Sequence, residues 1–372
     1  MPRVLEVIEF LREFAPENLA EPWDKVGLHA GDPDREISGV LVCLDVTLDT
    51  VQQAVEVGAG LVVSHHPLLF HPAATLREDQ PEGKLLCAVT RAGLSVYCAH
   101  TNLDATAGGV NDCLATALEL RDTRPLEPQP EPVLKLAVFT PPGYVERLLQ
   151  AMSGAGAGQL GAYSHCSFQF PGIGTYLPMA GAEPFVGEVG RLERAEEVRL
   201  EMIVPDGCLE RVLAAMLEAH PYEEVAYDAY PLHRPHAHTG RGLGRVGRLP
   251  APLTLAELQD RVALTLQPSE LGVVGDPTQS VETVAVLGGS GGKYVTAARR
   301  AGAHAFVTGE VGHHDRLLAR DLGLAVLDAG HEATETVVLE PLAGRLRRRF
   351  EGLKVTVAPR TFGPFAGGPS RL

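Results

Sequence analysis

The chain has no long hydrophobic run and no paired-cysteine motif, and each absence excludes a class of protein. No apolar run approaches the roughly 18–20 residues that span a bilayer, so we expect no membrane span. The six cysteines are scattered without a CxxC pair, which argues against a zinc ribbon and a disulfide framework. The N-terminal sequence MPRVLEVIEFLREF lacks the uninterrupted apolar region of a secretory signal, so we expect a cytoplasmic protein.

Positively charged residues are also scarce. The chain has 32 Lys and Arg against 47 Asp and Glu, so its net charge is −15 with the histidines neutral. Such an acidic chain repels phosphate backbones, which disfavours nucleic-acid binding through a basic face. Small phosphorylated ligands are not excluded, because a bound metal ion can reverse the local charge. The 372 residues and the hydrophobic fraction of 45% predict two or three domains with sizeable cores.

The first third of the chain alternates helical and strand patterns. Apolar residues recur at helical spacing in the first predicted helix, and short apolar runs predict buried strands. The predicted elements are a helix over Val4–Phe14, a strand over Gly39–Thr47, a helix over Leu48–Ala59, a strand over Leu61–Pro67, a helix over Gly83–Gly93 and a strand over Leu94–Asp104 that runs into a loop. This alternation predicts an α/β fold with a parallel or mixed sheet covered on both faces.

The same order of elements returns near the C-terminus. The segment TVAVLGGSGGKYVTAARRAGAHAFVTGE aligns with GVLVCLDVTLDTVQQAVEVGAGLVVSHH, and GLAVLDAGH (Gly323–His331) resembles GLSVYCAHT (Gly93–Thr101). Order and element type both repeat, which indicates an internal duplication. Two related α/β halves would then pack together, with a site where their strand ends meet.

A segment of different character separates the two halves. We interpret Arg121–Pro132 and His233–Gly242 as proline-containing linkers on either side of it. Between them the patterns follow the order β-α-β-β-α-β, which is the ferredoxin-like arrangement. The sequence therefore predicts a duplicated α/β domain with mixed sheets, formed by residues 1–125 and 240–372, and interrupted by an α+β insert over 133–232.

Three motifs at predicted strand ends carry side chains suited to metal binding. They are Ser64-His65-His66-Pro67, the stretch HTNLD ending at Asp104, and the stretch HEATE from His331 to Glu335. His331 and Glu335 are four residues apart, so they share one helix face. Ligands in open α/β sheets gather at the carboxyl ends of strands.

Five nitrogen and oxygen donors exceed what a closed four-coordinate zinc site needs, and they suit two metal ions with water between them. We therefore predict two divalent ions per chain, with zinc, iron, manganese or nickel as the candidates. The predicted ligands are His65, His66, Asp104, His331 and Glu335.

Each motif alone also has a structural explanation. The histidine pair could simply finish a strand, Asp104 could cap a helix, and the HEATE acids could favour a helix N-terminus. His100 is a candidate ligand, a group supporting a ligand or a substrate contact. His314, with its neighbour His313, is either a further ligand or proton donor or part of a solvated helix face.

The glycine-rich stretch GGSGGK (Gly288–Lys293) invites comparison with a phosphate-binding loop. Leu287 and Tyr294 break the GxxxxGK[ST] pattern, so it is not a Walker A loop. Two alternatives stay open: a turn that presents backbone N–H groups to an anion, or a tight connection without a ligand.

These motifs resemble the Nif-three-like family, whose members are often labelled GTP cyclohydrolase I type 2 homologues. The matching segments cover nearly the whole chain and include PWDKVGLHAGDP, LDVTLDTVQQA, VVSHHPLLF, HTNLDATAGGVN, GGSGGK, VTGEVGHHD and DAGHEATE. The insert, through GAGQLGAYSHCSFQFPGIGTYLPM and HPYEEVAYDAYPL, is similar to the PII-like middle domain of longer bacterial members. Lys25 departs from the Asn that many members carry in WDNVGL.

The resemblance implies a dinuclear metal site formed by the same five residues. It also implies a toroidal homohexamer with its sites facing an inner cavity, and a cyclohydrolase-type activity. Two functions are therefore carried forward. One is a metal-dependent hydrolase of a small-molecule substrate, and the other is a regulatory or metal-handling protein whose insert binds an effector or partner.

Overall fold

The computed structural model describes residues 1–73, 75–129, 132–232 and 240–361. They form two compact units. The first unit contains the described residues up to Gln129 and from Gly240 onward, and the second contains those between. Among the helices of these residues, none combines the length and apolar character that a bilayer span requires.

The described residues form fifteen strands and twelve α-helices. The strands are β1 (Gly27–Ala30), β2 (Gly39–Cys43), β3 (Leu61–Ser64), β4 (Ser95–Cys98), β5 (Arg121–Pro128), β6 (Val133–Thr140), β7 (Ser167–Tyr176), β8 (Glu193–Pro205), β9 (Tyr227–Leu232), β10 (Gly242–Thr254), β11 (Gly272–Val274), β12 (Ser280–Ser290), β13 (Ala305–Gly309), β14 (Ala325–Asp328) and β15 (Lys354–Val357). The helices are α1 (Val4–Phe14), α2 (Leu48–Val57), α3 (Pro81–Arg91), α4 (Thr101–Ala105), α5 (Val110–Ala117), α6 (Val145–Gly154), α7 (Leu209–Ala219), α8 (Leu255–Leu266), α9 (Val295–Arg300), α10 (His313–Asp321), α11 (His331–Glu335) and α12 (Leu339–Arg349).

The first unit contains two sheets built on one plan. Strands β1-β4-β3-β2 in one sheet match β11-β14-β13-β12 in the other. In both, the outer strand is antiparallel to its neighbour and the other three are parallel. The first sheet is extended by β15 and the second by β10 and β5. This repeated topology is what the internal duplication predicts.

The central strands are short apolar runs because helices cover both of their faces. Every residue of β2, β3 and β13 is buried. On one face of the first sheet, α1 contributes Val7 and Leu11 to a core shared with Leu342 and Leu346 of α12. On the other face, Val51 of α2 packs in a separate core. The sheet is thereby held rigid, and its strand ends are fixed in position.

Two element predictions differ from the structure. The predicted strand Leu94–Asp104 ends at Cys98, and the short helix α4 follows it. The predicted linker Arg121–Pro132 is wrong, because Arg121–Pro128 forms β5 at the edge of the second sheet. An edge strand tolerates proline since it needs hydrogen bonds on only one side. Of the other predicted linker, residues 233–239 lie outside the described part of the chain, and Gly242 already begins β10.

The second unit has the predicted element order β6-α6-β7-β8-α7-β9. Its sheet has the strand order β7-β8-β6-β9, with all neighbours antiparallel. Leu148 and Met152 of α6 and Val212 of α7 pack against the sheet and form a core of its own. The unit can therefore bury its apolar side chains without the rest of the chain.

Candidate metal centre

The histidine pair lies directly after β3, and its backbone is hydrogen-bonded to the end of the neighbouring strand β2 and to the residue that follows it. The backbone N–H of His65 donates to the carbonyl of Cys43 at 3.1 Å, and that of His66 donates to Leu44 at 2.9 Å. Ser64 Oγ donates to the carbonyl of His66 at 2.8 Å. The backbone under both rings is therefore fixed although the strand has ended.

The two acidic residues come from equivalent places in the two halves. Asp104 lies on α4, which follows β4, and Glu335 lies on α11, which follows β14. Both helices are five residues long. Strand ends of the two sheets thus supply donors to a single cluster within the first unit, as expected where duplicated α/β halves meet.

The five predicted ligands come together around the Glu335 carboxylate. Its Oε1 lies 3.7 Å from His65 Nε2, and that nitrogen lies 3.7 Å from Asp104 Oδ1. Its Oε2 lies 3.0 Å from His66 Nε2 and 3.1 Å from His331 Nε2. We call His65, Asp104 and Glu335 Oε1 the first donor group. We call His66, His331 and Glu335 Oε2 the second donor group.

In the three ligand histidines, the Nδ1 atom faces an oxygen and the Nε2 atom faces the cluster. The Nδ1 contacts are His65 to the Ala99 carbonyl at 3.0 Å, His66 to Asp45 Oδ1 at 2.8 Å, and His331 to Glu310 Oε2 at 3.1 Å. Each oxygen selects a proton on Nδ1, which leaves the Nε2 lone pair free to bind a cation.

Several buried polar atoms of the cluster have no hydrogen-bond partner among the described residues. They are His65 Nε2, Asp104 Oδ1 and Glu335 Oε2. The last lies close to two imidazole nitrogens, but neither contact has the angles of a hydrogen bond. Buried polar atoms are almost always paired, so atoms that converge without pairing are suited to hold a cation. The residues present therefore fit a divalent metal centre.

Carboxylates and imidazoles face each other throughout the cluster. Burial opposes ionisation of Glu335, but the surrounding imidazoles hold its pKa well below the usual range. Burial likewise opposes protonation of His66, yet Asp45 and Glu335 raise its pKa to about 10. Burial raises the pKa of Asp104 to about 6. The shifts have two causes: burial disfavours the charge of Asp104, whereas carboxylates and imidazoles that face each other stabilise each other's charged forms.

His100 offers a further donor, because one of its ring nitrogens and those of His65 and His66 all lie within 4.8 Å of one another, whereas His314 does not join the cluster. The His100 ring centroid is 5.1 Å from that of His65 and 5.5 Å from that of His66. His314 is exposed on α10 and does not line the cavity described next. The residue that directly follows β13, as His65 follows β3, is Glu310.

Four of the five predicted ligands, His66, Asp104, His331 and Glu335, form part of the wall of a cavity of about 920 Å³. The glycine-rich stretch borders it, and a Cβ on Gly289 would lie 2.3 Å from Glu335 Oε1. Gly289 also has φ +70°, which favours glycine. The N–H groups of Gly288 and Gly289 donate to Asn111 and Thr334. The glycines at these two positions therefore serve the close approach to Glu335, and their N–H groups are already engaged.

Three acidic residues at the site were not predicted from the sequence: Asp24, Asp45 and Glu310. Two of them follow strands, Asp45 after β2 and Glu310 after β13. The strand-end rule that selected the ligands could therefore have found both. Asp24 lies in a loop before β1, and no local pattern marks it.

Comparison with known proteins gives consistent matches over the whole chain. The Duf34/NIF3 (NGG1p interacting factor 3) family profile matches residues 2–362. A Bacillus subtilis protein named GTP cyclohydrolase 1 type 2 homolog is 42% identical, with 97% of each chain covered. A Mycobacterium tuberculosis protein of the same name is 39% identical, covering 94% of this chain and 92% of that one.

Solved structures agree with the sequence matches. The crystal structure of a Bacillus cereus protein related to NIF3 superposes with a TM-score of 0.88 at 38% identity, covering 98% of this chain and 99% of that one. A Staphylococcus aureus protein gives a TM-score of 0.77 at 27% identity, with the same coverage. The chain therefore belongs to the Duf34/NIF3 family.

Proposed function

We propose that this protein binds two divalent metal ions per chain and uses them to hydrolyse a small-molecule substrate. The observation that carries the proposal is the orientation of Glu335, whose two oxygens face two separate donor groups. A carboxylate in that position can bridge two ions. The family supports the activity, since relatives at up to 42% identity are named GTP cyclohydrolase 1 type 2 homolog.

A pair of divalent ions held there would polarise a substrate bond and lower the pKa of a bound water. The remaining side chains position the ligands. Asp45 and Glu310 fix the imidazoles of the second donor group. His100 Nδ1 donates a hydrogen bond to Asp24 Oδ1 at 2.8 Å. Its Nε2 can therefore accept a hydrogen bond from a substrate.

The test is turnover by the metal-loaded protein on a panel of nucleotides, phosphoesters and amides. We expect at least one substrate to be hydrolysed, with the activity lost in His66→Ala and retained in His314→Ala. The second variant is a matched control because His314 is exposed and away from the cavity. Activity that survives in His66→Ala would contradict the proposal.

The second candidate is a regulatory or metal-handling protein whose insert binds an effector or partner. Two features of the second unit favour it: its separate core, and the exposed Phe168, Phe170 and Ile173 on edge strand β7. By its resemblance and strand order we propose that the unit is PII-like. This candidate predicts full metal occupancy without turnover of any compound in the panel.

We also propose, from the family resemblance, a toroidal homohexamer with the metal sites facing its inner cavity. Size-exclusion chromatography with light scattering should then give six times the chain mass of 39.6 kDa. A monomeric or dimeric mass at micromolar concentration would contradict this assembly.

A further inference from the structure

Two large aromatic side chains lie exposed at the cavity that contains the metal ligands. Trp23 and Phe70 are each 53% exposed, and both line the cavity. Their ring centroids are 6.3 Å apart and their planes differ by only 21°. Exposed tryptophan is costly in water, because its large apolar surface remains hydrated. The position of this pair therefore needs an explanation.

The backbone beneath Trp23 is firmly anchored. Asp24 is buried and accepts hydrogen bonds from His100 Nδ1 at 2.8 Å and from Thr101 N at 3.0 Å. Thr101 Oγ1 in turn accepts from the backbone N–H of Glu21 at 2.9 Å. The hydrogen bonds of Asp24 outweigh its burial and hold its pKa well below the usual range. The chain thus fixes the segment that carries Trp23 while it leaves the indole exposed.

His100 connects this aromatic pair to the metal ligands. Its ring centroid lies 6.1 Å from Trp23 and 6.0 Å from Phe70, edge-on to both. The same ring lies 5.1 Å from His65 and 5.5 Å from His66. A ligand that contacts Trp23 or Phe70 can therefore reach the metal centre within one cavity.

We propose that Trp23 and Phe70 form a stacking platform that binds the planar aromatic ring of the ligand, which makes planar heteroaromatic compounds the substrate class. Nearly parallel rings present faces to which another ring can stack, whereas an aliphatic chain gains nothing from their orientation. A concave wall beside buried polar donors suits a small molecule better than a flat protein surface. The assignment of a substrate rests on the proposed function, but binding of a ring does not require turnover.

The experiment uses the fluorescence of Trp23, which is the only tryptophan of the chain. The metal-loaded full-length protein is titrated with adenosine, guanosine and uridine 5′-monophosphates, and with ribose 5-phosphate as a control that lacks a ring. We expect saturable quenching by at least one nucleotide and none by ribose 5-phosphate. Base stacking on an aromatic side chain contributes enough that Phe70→Leu should weaken binding about tenfold.

Leu264→Ala provides the control, since Leu264 is 79% exposed on α8 and does not line the cavity. It should leave the nucleotide affinity unchanged. Trp23→Leu removes the fluorescent residue, so its nucleotide binding is measured by calorimetry. We expect this variant to lose nucleotide binding.

Equal quenching by ribose 5-phosphate and the nucleotides, no quenching by any of them, or an unchanged affinity in Phe70→Leu would overturn the platform. A change of oligomeric state in Trp23→Leu without nucleotide binding would instead assign the pair to a protein contact and also overturn it. Elemental analysis separates this result from the proposed function. Two ions per chain without ring binding contradict the platform alone, and ring binding by a protein that cannot hold metal contradicts the hydrolase alone.

Discussion

Replacing Glu335 with Gln keeps the size of the side chain but removes the charge that both donor groups share. Glu335 is 3% exposed, and its two oxygens face different histidines. We therefore expect Glu335→Gln to weaken the binding of both ions. Asp104→Asn should weaken only the binding of the ion at the first donor group. The fold should persist, because the cluster lies at strand ends and outside the main cores.

The expected size follows from the cost of one ligand. A structural zinc site with four ligands is worth about 10–16 kcal/mol, so one ligand contributes about 3 kcal/mol. That free energy corresponds to about a hundredfold in affinity. The loss applies to each ion in Glu335→Gln and to one ion in Asp104→Asn.

The assay is a competition titration against a chromogenic chelator, which resolves two dissociation constants, combined with thermal melting of the chelator-treated protein. Glu332→Gln is the control, because it makes the same change of charge on the same helix at a residue that is not one of the predicted ligands. Two undisturbed constants in Glu335→Gln, or an equal loss in Glu332→Gln, would refute the reasoning. If chelator-treated Glu335→Gln shows no cooperative melting transition, the claim that the fold does not depend on the cluster is wrong.

Three further predictions follow from neighbouring features. Asp45→Asn should weaken the binding of the ion at the second donor group about 10- to 100-fold, because the His66 imidazole loses the oxygen that orients it. The same titration should show unchanged binding of the other ion. Gly289→Ala should lower the metal content measured by elemental analysis. The added Cβ would lie 2.3 Å from Glu335 Oε1 and would therefore push the carboxylate out of place. Deletion of residues 130–239 with a short glycine turn should leave a folded protein that binds metal. The β5–β10 pairing brings the two ends together, so circular dichroism and metal analysis should match those of the full chain, and a soluble variant without metal would contradict this.

The meeting of the five side chains could be predicted because a few strong local rules coincide at them. Apolar runs define the strands, and histidine and acidic residues follow the ends of β3, β4 and β14. Asp45 and Glu310 also follow strands, so the same rule marks their positions but does not reveal what they contact. Their importance lies in contacts with His66 and His331, which are distant in the sequence.

The misplaced elements have equally physical reasons. His314 lies away from the cluster because β13 ends at Gly309 and the histidine already belongs to α10. The sequence of β5 predicts a linker because its prolines suggest irregular structure. Its place at a sheet edge, which only the topology reveals, makes those prolines compatible with a strand.

The most direct test of the account is the metal content of the full-length protein. Protein purified without chelator, and protein reconstituted with zinc, iron, manganese or nickel, would be measured by elemental analysis against protein concentration. The two donor groups around Glu335 predict close to two equivalents per chain. One equivalent or none in the reconstituted protein, with every candidate metal, would contradict the dinuclear centre.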